Sequence, residues 1–229
     1  MGEKWAFRLA VIAAIAMLGV TTLLTIAAPP CHPLPMSTIL AFELARSVED
    51  LQLIFGQPGD ACRAALVPQV DQLNTIDIIG YIPTYTLFYG LTAYALGRRD
   101  RALGWLTVAI AIVSGLADVA ENTALFSLSA APDAPSPWIP ALIVATHIKW
   151  VGLAVVTALC GLMLARRGGL GWVLGIACAL PLVPAIWAVI SPAGGGPYMM
   201  PAMVIASVAL LGVGIVGAVR RQQAAQVAA

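Results

Sequence analysis

The chain has 229 residues, of which 60% are hydrophobic and only 10% charged, and its formal net charge is +1. Mean hydropathy is +0.91. Soluble domains are roughly 45–50% apolar and about 25% charged, so a soluble fold of this length could neither bury so much apolar side chain nor solvate itself with so few charges. Near-neutral charge argues against a nucleic-acid partner, and four cysteines are too few for a disulfide scaffold. The expectation is an all-α integral membrane bundle in one transmembrane domain.

A crossing needs about 20 mostly apolar residues. The first is expected at 9–28, after Lys4 and Arg8 and before Pro29-Pro30. It loosely resembles a signal peptide, but its long apolar run reads as an uncleaved span. Further crossings are expected at 75–96, where Pro83 should kink the helix, and at 102–128 and 141–165. From Gly168 to Val219 there is no charged residue, a stretch of about 78 Å as helix. Ser191-Pro-Ala-Gly-Gly-Gly-Pro197 divides it by a tight turn into 170–190 and 198–219. Six spans result.

Lys4, Arg8, Arg98, Arg99, Arg101, Arg166, Arg167, Arg220 and Arg221 all fall on one side of these spans, which the positive-inside rule makes cytoplasmic, with both termini. Alanine and proline richness fits a bacterial inner membrane. The only long outer segment is 29–74. Within it, 37–56 reads as one amphipathic interfacial helix, with Ser37 as N-cap and Gly56 as terminator. Leu40, Leu44, Val48, Leu51 and Phe55 share one face; Glu43, Arg46, Ser47 and Asp50 share the other. This helix either lies on the bilayer or forms a lid whose Glu43 faces a pocket below. Cys31 and Cys62 bracket it and are expected to form a disulfide in an oxidising compartment; Cys31-His32 as a metal half-site is the alternative, without supporting ligand spacing. Cys160 and Cys178 read as core packing.

Ionisable residues inside spans are costly and point to function. They are Asp77, Asp118, Glu121, His147 and Lys149, joined by Asn122. Asp118, Glu121 and Asn122 are spaced i, i+3, i+4 and share a helix face. Antiparallel pairing of the third and fourth spans brings Lys149 to the same level, where an ion pair with Glu121 or Asp118 makes both tolerable. His147 lies about 200° around the helix from Lys149, so the two cannot point at one partner. Asp77 is either solvated near the outer boundary or part of the cluster, on a stripe with Tyr81 and Tyr85.

No His-Glu-x-x-His, Gly-x-Ser-x-Gly, Cys-x-x-Cys or Walker loop occurs, and the residues name no metal or cofactor. The leading expectation is an outward-facing pocket that binds or processes a lipid-like amphiphile. In it Asp118 or Glu121 would act as base and His147 as acid, Asn122 would donate hydrogen bonds, Lys149 would clamp an anionic headgroup, and Asp77, Tyr81, Tyr85 and Glu43 would line the site. A proton-coupled transporter, or a non-catalytic subunit whose cluster is structural, are the alternatives.

Overall fold

The computed structural model describes residues 2–134 and 137–226, with side chains to residue 219. Among the described residues there are ten α-helices, one π turn and no strand. Five helical segments are long and apolar enough to cross a membrane: Glu3–Thr21, Arg101–Ala130, Trp138–Ala165, Leu170–Ile190 and Pro192–Val219. The protein is a helical membrane bundle.

Helix α1 (Glu3–Thr21) lies earlier than the expected 9–28. Beyond it, the backbone N–H groups of Ala27 and Ala28 donate to Gln69 Oε1 instead of to a helical carbonyl. A tertiary acceptor therefore replaces the last turns that hydropathy alone would assign to helix.

The amphipathic segment 37–56 is two helices rather than one: α2 (Thr38–Glu43) and α3 (Val48–Phe55). The break has a local cause. Ser47 caps α3 by accepting from the Asp50 N–H, while Asp50 accepts from the Arg46 N–H, so this Ser-x-x-Asp pair starts a new helix. Ser37 makes no side-chain cap bond. Gly56 ends α3 at φ 70°, a left-handed conformation that favours glycine.

Helix α4 (Ala61–Ile76), which the sequence reading leaves as loop, runs through a π turn (Asp77–Tyr81) directly into α5 (Ile82–Leu96). The expected crossing at 75–96 is thus the inner part of a longer rod. The irregularity forms one turn ahead of Pro83, which has no N–H to offer Ile79, and the Ile82 N–H bonds back to Asp77 O.

Helices α6 (Arg101–Ala130) and α7 (Trp138–Ala165) pack as an antiparallel pair. At about 45 Å, α6 is longer than a hydrocarbon core of about 30 Å, and its outer turns enter a separate cap. Phe42, Leu51, Ile54, Phe55, Leu66 and Val70 form that cap's core with Ala124, Leu125 and Leu128 of α6 and Leu142 of α7. The Cys31–Cys62 disulfide joins two of its strands of chain, with Cα atoms 5.4 Å apart. Arg63 bridges Asp133 across it and holds that carboxyl below its ordinary range, chiefly by hydrogen bonding.

The charge-free stretch contains α8 (Leu170–Ala179), α9 (Leu182–Ile190) and α10 (Pro192–Gln226). Pro181 separates the first two. The expected turn over Ser191–Pro197 shrinks to Ser191, because the glycines are helical. A Cβ on Gly195 would meet Ala188 N at 2.3 Å and Pro184 O at 2.7 Å. Gly195 thus permits close backbone approach between α9 and α10, while Gly196 faces Met36 and Leu44. Gly214 and Gly217 face Val11 and Phe7 of α1, and Cys160 and Cys178 are buried as free thiols.

Candidate functional site

The cluster assembles from four elements beneath the cap. On α6, the i, i+3, i+4 spacing places Asp118, Glu121 and Asn122 on one inward face, all essentially unexposed. From α7, Lys149 reaches between them. Its Nζ lies 2.9 Å from Asp118 Oδ1, 2.9 Å from Glu121 Oε1 and 3.1 Å from Glu43 Oε1. An ammonium has three hydrogens, and three carboxylate oxygens surround it.

Glu43 enters from α2. Its Oε2 accepts from Trp150 Nε1 at 3.0 Å, and its backbone carbonyl accepts from Thr146 Oγ1 at 3.0 Å. The short helix of the cap is thereby fixed to α7 by both side chain and main chain. The polar residue that amphipathic patterning assigns to a lid's underside is here tied to the floor.

Asp77, in the π turn, is buried rather than solvated. Its Oδ2 accepts from Asn122 Nδ2 at 2.7 Å, and the same amide nitrogen lies 3.2 Å from Asp118 Oδ1. The π turn begins at this residue, whose carboxyl is held against α6 by the Asn122 amide. Tyr85 donates to Asp118 Oδ2 at 2.8 Å, and Tyr81 packs edge-on against Tyr85 with ring centroids 5.4 Å apart.

The structure does not bring all of the expected site residues together. His147 is not in the cluster. It faces the opposite side of α7, as the 200° separation requires, and its Nε2 lies 3.4 Å from Arg46 Nη2. Arg46 in turn donates to Ala188 O and Val189 O at the end of α9, satisfying carbonyls that a helix terminus leaves open. Lys149, for its part, is buried and enclosed by three carboxylate oxygens, two of which accept its hydrogen bonds, so its charge is already countered where an anionic headgroup would need it. The expected trio of carboxylate, histidine and lysine is not assembled around one point. Cys31, Asp60 and Cys62 lie close enough to suggest a metal set, but both sulfurs are tied in the disulfide and offer no thiolate.

Beside the cluster is a cavity of about 270 Å³. Glu43, Asp77, Asn122 and Lys149 form its polar end; Tyr81, Tyr85 and Tyr89 form one wall; Met17, Leu153 and Met203 are among its apolar lining. Leu18 of α1 and Val204 and Val208 of α10 also line it, although each is more than half exposed on the outer surface of the bundle. The cavity therefore opens sideways between α1 and α10, toward the surface that faces lipid.

Asn74 is the residue that sequence reasoning missed. It is 0% exposed and lines the cavity, and neither its Oδ1 nor its Nδ2 has a hydrogen-bond partner. The available signal was its spacing: Asn74 precedes Asp77 by three residues, one helical turn along the same face. Trp150 and Thr146, adjacent to Lys149 and one turn before it, were also legible only once α2 was seen against α7.

The comparisons add no relative. No protein-family model matches the chain, and no curated protein or solved structure shows significant similarity to it.

Proposed function

We propose that this membrane protein holds an amphiphilic, lipid-like molecule in the cavity beneath its cap, polar group inward and apolar body toward the opening between α1 and α10. The observation that carries this reading is one cavity with a charged end and an apolar remainder, exposed laterally where bilayer lipid would lie. The arginine-bearing helix ends at Arg98, Arg101, Arg166 and Arg167 support placing the cap and cavity on the non-cytoplasmic side, in a bacterial inner membrane or one of the same sidedness. The cap's disulfide suits an oxidising compartment on that side.

Binding is favoured over processing. Lys149 is ion-paired with three carboxylates and His147 faces elsewhere, so the residues at the cavity's polar end supply recognition without an acid–base pair set around a reacting bond. A proton-coupled path also lacks support. Below the cluster, Thr107 and Ser114 of α6 donate to their own helix, at Leu103 O and Ile110 O.

Native mass spectrometry of the protein ejected from lipid nanodiscs tests the reading, with Val204→Trp as the comparison. Val204 is 56% exposed at the cavity mouth, so a large ring there blocks entry without disturbing the core. The expected result is a stoichiometric small molecule on wild type and its loss from the variant. Bare protein in both, or an adduct unchanged by Val204→Trp, overturns it.

A further inference from the structure

The chemistry of the polar end specifies the sign of the molecule it receives; this rests on the amphiphile reading above. Four carboxyl groups, on Glu43, Asp77, Asp118 and Glu121, share one neighbourhood with a single ammonium. That ammonium is ion-paired with Glu43, Asp118 and Glu121, so its charge is already outweighed. Among the described residues lining the cavity, Lys149 is the only cation, so an anionic headgroup would meet acids and no available positive charge. A low-dielectric site penalises that arrangement severely.

Asp77 is the acid that Lys149 does not touch. Its carboxyl accepts a hydrogen bond from Asn122 and borders the cavity. Tyr81 and Tyr85 lie along the same wall, and a cation over a tyrosine face is attracted by the ring's quadrupole.

Asn74 is an independent sign that a ligand completes the site. A fully buried amide with both ends unbonded is an expensive feature for a protein to keep. It lines the cavity one turn before Asp77, and it can both donate and accept. A neutral hydrocarbon would leave it orphaned, whereas an amine with an adjacent hydroxyl, ether or carbonyl would pair both ends.

We propose that the cavity selects a cationic amphiphile: a protonated amine set against Asp77 and the Tyr81–Tyr85 wall, with its neighbouring polar atom on the Asn74 amide and its apolar body directed toward α10. Recognition then comes from the excess acid of a cluster whose remaining three carboxylates are occupied in holding Lys149 and the cap.

The test is titration of nanodisc-embedded protein with three probes of equal chain length, dodecylamine, dodecanol and dodecanoate, read by native mass spectrometry. Dodecylamine should bind saturably, one per protein, at least tenfold more tightly than dodecanol, and dodecanoate should not bind. Asp77→Asn, which keeps a hydrogen-bonding side chain of the same shape, should weaken dodecylamine tenfold or more and leave dodecanol unchanged. Asn74→Leu should weaken an amine bearing a second polar atom, such as sphingosine, more than it weakens dodecylamine. Equal binding of amine and alcohol, preference for the carboxylate, or indifference of dodecylamine to Asp77→Asn would overturn the proposal. If either variant is unstable, the ranking of the three probes on wild type still decides. A co-purifying neutral or anionic amphiphile displaced by Val204→Trp would sink this inference alone. Absence of any probe or adduct would sink the amphiphile reading with it.

Discussion

Replacing Lys149 by methionine removes the one cation that three buried carboxylates share, while Met fills much of the same volume. The oxygens at 2.9, 2.9 and 3.1 Å lose their common cation, and α2, α6 and α7 lose the group that joins them. Breaking a buried ion pair from one side costs about 3–5 kcal/mol. For a chain of this size that corresponds to a fall in Tm of roughly 6–20 °C. The reverse truncation is not equivalent. Glu121→Gln keeps a carbonyl oxygen for Lys149, and Glu121 Oε2 has no partner to lose. It also discharges one acid from a cluster that holds four against one base, so its cost should stay within about 1 kcal/mol. Thermal unfolding in one detergent, followed by tryptophan fluorescence, separates the two cases, and Lys149→Met/Glu121→Gln should recover part of the loss. If Glu121→Gln destabilises as much as Lys149→Met, the cluster is balanced rather than acid-rich, and the reasoning fails.

Three further outcomes follow from other parts of the fold. Reducing the Cys31–Cys62 disulfide, which closes a segment with a sequence separation of 31, should destabilise the cap by about 3–4 kcal/mol; amide exchange should rise in α2, α3 and α4 before α6 and α7, and uniform protection after reduction would contradict the cap's separateness. Gly195→Val places atoms where Ala188 N and Pro184 O stand 2.3 and 2.7 Å from a Cβ, so overpacking should cost about 1–3 kcal/mol in detergent unfolding, whereas Gly212→Val, with nothing within 4 Å, should be nearly silent. Because Arg63 holds the Asp133 carboxyl below its ordinary range, the stability this pair lends is present above the unfolded carboxylate value of about 4 and declines as pH falls through the lower folded value. Exchange protection around residues 56–63 should drop over that acid interval in wild type and stay flat in Asp133→Asn.

Much of the architecture was legible because hydrophobic length and charge position are long-range signals that survive local irregularity. The level shared by Lys149, Asp118 and Glu121 followed from helix rise and one short connection. What was not legible depends on contacts between distant segments. Gln69 draws the Ala27 and Ala28 N–H groups away from α1. The Ser47–Asp50 pair splits an amphipathic pattern that reads as continuous. A glycine run that signals a turn is helical here, with Gly194 and Gly195 set against α9. At the site, the angular argument on α7 already separated His147 from Lys149, but only the position of Arg46 shows where His147 goes. Asn74 falls at the end of the stretch expected as outer loop, so its burial on α4, one turn before the π turn, is visible only in the fold.

The most direct test of the central claim is the electron density in the cavity of crystals grown from a lipid mesophase. The account predicts elongated density from the mouth between Leu18 and Val204 inward, ending in a polar atom about 3 Å from Asp77 and a second near the Asn74 amide. A cavity closed by its own apolar side chains, with Asn74 turned to bond a protein neighbour, would contradict it.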